Sequence, residues 1–180
     1  DIKTKTFKIH PKKFLKLLNK TKISISGDET RHYLNGIFIH KTVSKDKTYL
    51  TCVSTDSHRL SSSSLEIEPN TEFESIILPK KTIFQLLSLL EETSNDVEIS
   101  SNKSKIKFKI ENSVLISKVI DGKFPDYSKV IPLSNEKKLE INLNEFKHSI
   151  ERVVSVSSDR KEGLKMALSK NAIRLSVNSP

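Results

Sequence analysis

The stretch STDSHRLSSSS, residues 54–64, sets Asp56 and His58 among several serines. These are the residue types of nucleophilic catalysis, in which a carboxylate orients a histidine and the histidine takes a serine proton. Read as an extended segment, it puts Asp56, His58 and Leu60 on one face and Ser57, Arg59 and Ser61 on the other, because side chains alternate along a strand. The carboxylate and imidazole could meet there, but no serine joins them. The rest of the chain supplies no substitute. It has no nucleophile elbow and no G-x-x-x-x-G-K-[ST] phosphate loop, and His10, His32, His40, His58 and His148 are scattered without metal-ligand spacing. The chain is therefore read as non-enzymatic, with no catalytic residue, metal or cofactor expected.

The elements that carry this stretch form a repeat. KTFKIHPKKFLKLLNKT (5–21), ESIILPKKTIFQLLSLLEET (74–93) and KKLEINLNEFKHSIERVVSV (137–156) each run from a strand pattern into a helical one. Phe14, Leu17 and Leu18, then Ile83, Leu86, Leu87 and Leu90, then Phe146, Ile150 and Val153 draw one apolar stripe per helix. Pro11 and Pro79 fit a first helical turn, where a missing N–H costs nothing. Strand patterns follow the first helix at KISIS, YLNGIFIHKTV, TYLTCVST and HRLSSSSLEIE, and the second at VEISS, KIKFKIE and SVLISKVI. In KIKFKIE, Ile106, Phe108 and Ile110 oppose Lys105, Lys107 and Lys109, the mark of a half-buried strand. The expected class is α+β, with strand-helix-meander units whose helices lie on one face of antiparallel sheets. The third unit has its helix and two strands, GLKMALS and AIRLSV.

Composition limits the partners. The chain has 180 residues and a net formal charge of +9, so a polyanion such as nucleic acid fits, although a solvated lysine-rich surface would give the same count. Lys12 and Lys13, and again Lys80 and Lys81, stand in first helical turns, where the dipole disfavours cations and a partner phosphate would offset the penalty. Lys13, Lys16 and Lys20 extend this basic stripe opposite the apolar one. The lone cysteine, Cys52, excludes a disulfide framework and implies a reducing, cytoplasmic setting. The run TIFQLLSLL is too short to span a bilayer. The chain opens at Asp1 without methionine, so a piece of a longer polypeptide is expected.

A second stretch, VIDGKFPDYSKVIP (119–132), reads as a rigid loop with an aromatic on either side of a proline. Together with RHYLNG (31–36), STDSHRL (54–60) and the strand-helix repeat, it resembles the bacterial DNA polymerase III beta subunit family of sliding clamps. The resemblance runs over the whole chain, with the motifs in order and spacing. It implies the DNA-clamp fold, with 1–130 as the middle domain of two repeat units, 131–136 as a linker, and 137–180 as the truncated first half of the C-terminal domain. It also implies a non-catalytic processivity factor whose full-length form is a ring-shaped homodimer. Such a ring encircles duplex DNA irrespective of sequence and tethers the polymerase III catalytic subunit, the clamp loader and repair polymerases through linear motifs of the type Gln-x-x-Leu-x-Phe. By the same resemblance Arg31, Leu34, Thr55, His58, Arg59, Leu60, Pro125, Lys129 and Val130 fall on the peptide pocket, and Lys12, Lys13, Lys16, Lys80, Lys81 and Tyr33 face DNA. Three residues depart from the family pattern. Ser57 stands where glycine is usual, which matters if the backbone needs positive φ, and Asp28 stands where some relatives carry a neutral amide. Lys129 also replaces the more usual arginine, keeping charge but losing the planar fork. The rival reading is a standalone basic nucleic-acid-binding module, for which three tyrosines and no tryptophan are a poor stacking supply.

Overall fold

A computed structural model describes residues 6–157 and 163–177. The expected units also include 1–5, 158–162 and 178–180, which lie outside the described residues. The chain divides into two compact units, Asp1–Asp126 and Tyr127–Pro180.

In the first unit, each repeat contributes a strand, a helix and a three-stranded meander. The first repeat gives β1 (Thr6–Ile9), α1 (Pro11–Thr21), β2 (Gly36–Ser44), β3 (Lys47–Thr55) and β4 (Leu60–Ile67). The second gives β5 (Ile76–Pro79), α2 (Lys80–Glu91), β6 (Val97–Ser101), β7 (Lys105–Ile110) and β8 (Ser113–Lys118). The leading strands are exchanged. β1 pairs with β6 of the second repeat, Ile9 opposite Val97, and β5 pairs with β2 of the first, Ile76 opposite Ile39. Two antiparallel four-stranded sheets result, β1-β6-β7-β8 and β4-β3-β2-β5. Neither repeat can complete its sheet alone.

The apolar stripes lie where the periodicity puts them. Phe14, Leu17 and Leu18 of α1 and Ile83, Leu86, Leu87 and Leu90 of α2 join Ile37, Ile39, Leu50, Cys52, Ile99, Ile106 and Phe108 in one core. Phe14 meets Phe108 with ring centroids 6.1 Å apart. The helices thus cover one face of the sheets, and alternation sends Phe38, between Ile37 and Ile39, to the opposite face.

Several local expectations give way. Pro11 opens α1, but Pro79 ends β5 and is the N-cap of α2, one residue before the first turn. KISIS is not a strand: Lys22–Ser24 form a 3₁₀ turn closed by Ile25 N–H on Lys22 O, and Ser24 is held by Ser61 across 2.7 Å. Local bonds satisfy this backbone before a ladder can. YLNGIFIHKTV begins its strand only at Gly36, because Glu29–Leu34 form short 3₁₀ turns, capped by Asp28 and kinked at Arg31, whose backbone is not helical.

The second unit holds α3 (Leu143–Val154), β9 (Lys165–Ser169) and β10 (Ala172–Ser176). The Asn142 side chain caps α3 by accepting from the N–H groups of Asn144 and Glu145. β9 and β10 pair as an antiparallel hairpin. Residues 137–142 carry a strand pattern but stay irregular. β1 and β5 each take their ladder from the other repeat, and among the described residues 137–142 have no such counterpart.

Candidate peptide and nucleic-acid surfaces

The stretch that opened the question is a turn, not an extended segment. β3 ends at Thr55, which pairs with Leu60 at the start of β4, and residues 56–59 turn between them. The Asp56 carboxylate accepts from the N–H groups of His58 and Arg59, each at 3.0 Å, and from Arg59 Nε at 3.1 Å. Burial pushes this carboxyl up, but the N–H bonds from Arg59 and His58 and the Arg59 charge outweigh it and leave it below the usual range. The expected shared face of Asp56, His58 and Leu60 is therefore replaced by a capped turn. Asp56 shapes the loop.

Ser57 sits in this turn at φ 76°, the left-handed region that resists a side chain. Its N–H donates to Thr55 Oγ1 at 3.1 Å, while the Thr55 hydroxyl donates to Arg59 O at 2.8 Å. The condition raised by the sequence departure is met, and the serine also gains a partner: Arg31 Nη1 donates to Ser57 Oγ at 2.6 Å. Arg31 Nε donates to Asp28 Oδ2 at 2.8 Å. The bond from the Thr30 hydroxyl, then that from Arg31, hold the Asp28 carboxyl down to about 2. Asp28 is thus charge-matched by Arg31 rather than a lone acid.

The loop bearing Pro125 joins the same region. Phe124 stacks on Phe38, centroids 4.9 Å apart and planes 7° apart, and His40 stacks on Phe38 at 4.5 Å. Ile120 N–H donates to Ile77 O, and His32 Nε2 lies 3.1 Å from Asp121 O. Phe38 pairs with Val53 and Ile77 across the sheet, so the loop seals the face opposite the helices. Phe38, Phe124 and His32 were missed as supports for this surface. The aromatic of Phe-Pro was the one available signal.

Among the expected peptide-site residues, Arg31, Thr55, His58, Arg59, Leu60 and Pro125 belong to these connected segments of the first unit. His58, Arg59 and Pro125 are exposed, and Arg31, Thr55 and Leu60 half-buried. Leu34 differs: it is only 2% exposed, because the end of the 3₁₀ helix turns it inward, so it supports the surface from beneath. Lys129 and Val130 lie on the Tyr127–Val130 3₁₀ turn of the second unit, where Val130 is 67% exposed.

On the helix face, Lys12, Lys13, Lys16, Lys80 and Lys81 are all exposed. Neither α1 nor α2 has an acidic residue in its first turn or a side-chain cap. Tyr33 is half-buried, edge-on to His32 at 5.9 Å, and its position belongs to the 3₁₀ segment rather than to either helix. Among the described residues no group of His, Cys, Asp and Glu could hold a metal, and no helix is long and apolar enough to cross a membrane.

Residues 8–126 match the family model of the DNA polymerase III beta subunit central domain, and residues 128–180 that of its C-terminal domain. The chain belongs to this beta subunit family. It is 41% identical over 176 residues to the beta sliding clamp of Rickettsia felis, covering 96% of this chain and 45% of that protein. It is 28% identical over 165 residues to that of Escherichia coli K12, covering 92% of this chain and 44% of that protein. The chain thus spans about half the length of these relatives. Among solved structures, a Caulobacter crescentus beta sliding clamp superposes with TM-score 0.93 at 32% identity, over 97% of this chain and 46% of that one. A Bartonella birtlesii sliding clamp bound to griselimycin gives 0.88 at 33% identity, over 100% of this chain and 53% of that one. The α+β fold, expected from the repeat, is the clamp fold that the resemblance implied.

Proposed function

We propose that this chain works as part of a replicative sliding clamp, a non-catalytic processivity factor whose ring encloses duplex DNA and tethers polymerases and loader through linear peptide motifs. In this reading 1–130 act as the middle domain and 137–180 as the first half of the C-terminal domain, joined by 131–136, and the full ring is a homodimer. The observation that carries the proposal is the separation of two surfaces by the sheets of the first unit. Exposed lysines crowd the uncapped starts of α1 and α2, while the Arg31, Thr55–Leu60 and Pro125 segments are bonded together with a loop that seals the opposite sheet face. A basic helix face suits phosphates read without sequence preference. Leu60 and Pro125 offer apolar contact beside Arg31 and His58, the mixture that seats a short peptide. Family membership supports both assignments.

The test is fluorescence anisotropy with a labelled Gln-x-x-Leu-x-Phe peptide. It should bind weakly and lose binding on Leu60→Asp while the circular dichroism spectrum is unchanged. Equal binding to the Leu60→Asp variant would overturn the pocket assignment.

A further inference from the structure

Ser57 occupies a backbone conformation that costs a serine energy, and its side chain is directed to a defined use. The Thr55 hydroxyl fixes the Ser57 N–H, and the Ser57 hydroxyl lies 2.6 Å from Arg31 Nη1, across 26 residues of sequence. Arg31 is gripped on a second atom by Asp28, at Nε. A guanidinium is planar, so anchors on Nε and Nη1 fix both its position and the tilt of its plane. These bonds engage two of its five donors, which leaves three for a ligand. The Arg31 side chain remains 37% exposed. Asp28 balances its charge at close range, which reduces the attraction for a ligand acid while leaving the donors usable.

We infer that Ser57 is a positioning residue: with Asp28 it holds the Arg31 guanidinium as a fixed, charge-compensated donor plate that selects neutral carbonyl oxygens of an extended peptide over free carboxylates. The inference rests on the peptide-tethering reading above and adds to it the feature of the ligand that this edge recognises. Without the Ser57 hydroxyl, Arg31 keeps its charge but loses one anchor, so the plate rotates and its donors no longer converge on one acceptor. A long flexible side chain must then be ordered by the ligand itself, at an entropic penalty.

The experiment pairs a double-mutant cycle with direct observation of Arg31. A fluorescent Gln-x-x-Leu-x-Phe peptide with an amidated C-terminus is titrated into the chain and its Ser57→Ala, Arg31→Met and doubly substituted forms. Ser57→Ala should weaken binding roughly fivefold when Arg31 is present and leave it unchanged in the Arg31→Met background. An otherwise identical peptide with glutamates at the x positions should bind the parent chain no more tightly than the neutral peptide. In parallel, the ¹⁵N-labelled Arg31 Nε–H resonance should be sharp and slowly exchanging in the parent chain and broadened by Ser57→Ala. An equal loss of affinity in both arginine backgrounds, or tighter binding of the acidic peptide, overturns the inference. So does an Arg31 resonance indifferent to Ser57. If no peptide binds while the Arg31 resonance still responds to Ser57, the pocket reading fails with its recognition role, and the positioning of Arg31 stands.

Discussion

Gly36→Ala tests how the RHYLNG motif builds the first unit. Gly36 opens β2 opposite Pro79, and a Cβ placed on it would lie 2.2 Å from Leu78 O and 2.9 Å from Leu78 C. Ordinary contact needs about 3.4 Å, so β2 and β5 must part by about 1.2 Å at this point. The neighbour is backbone in a ladder, so no side chain can swing away. The strain would also reach the helix face, because Lys80 N–H at the start of α2 donates to Asn35 O at 3.0 Å. Overpacking of this kind costs about 1–3 kcal/mol, and the weakened bonds on either side of Gly36 add about 1 kcal/mol. A total near 3 kcal/mol lowers the melting temperature of a domain of this size by roughly 10 °C. Thermal denaturation followed by circular dichroism reads the shift, and a fall of less than about 2 °C would refute the close-approach argument.

Asp28 predicts a pH dependence with a definite sign. Its carboxyl is held down to about 2, below its ordinary value, so its stabilising contribution is present above the ordinary value and lost as pH falls through about 2. The melting temperature should therefore exceed that of Asp28→Asn at pH 5, and the gap should close between pH 4 and pH 2; a gap constant with pH would contradict the Asp28–Arg31 pairing. On the helix face, replacing Lys12, Lys13, Lys80 and Lys81 with serine should flatten the salt dependence of duplex binding, which the parent chain should show weakly and only at low salt. Leu60→Asp should leave that slope alone, and tight duplex binding at physiological salt would oppose the reading of a loose, sliding contact.

Much of the fold was legible because local periodicity reports burial. The stripes Phe14, Leu17, Leu18 and Ile83, Leu86, Leu87, Leu90 are buried, and the alternation of Ile106, Phe108 and Ile110 against lysines marks β7. The exchange of β1 and β5 between repeats was not legible, since a strand pattern states which face is apolar and not which edge it joins. The 56–59 turn had no local signal, since its positive φ falls on Ser57 and not on a glycine, and only the family resemblance raised that condition; Thr55 holds the turn. The Asp28 cap of Glu29–Leu34 had a signal, an aspartate two residues before a threonine whose N–H it accepts. Arg31 was singled out from the sequence, but its bond to Ser57 depends on two loops meeting and has no local signature.

The central claim is that one small domain serves two ligands from opposite faces of its sheets. Chemical-shift mapping of a single ¹⁵N-labelled sample, titrated first with a Gln-x-x-Leu-x-Phe peptide and then with short duplex DNA at low salt, tests it most directly. The account predicts that the peptide moves resonances at Arg31, Thr55–Leu60 and the loop before Pro125, and that the duplex moves Lys12, Lys13, Lys16, Lys80 and Lys81 while the peptide stays bound. Displacement of the peptide by the duplex, or peptide shifts concentrated on α1 and α2, would contradict it.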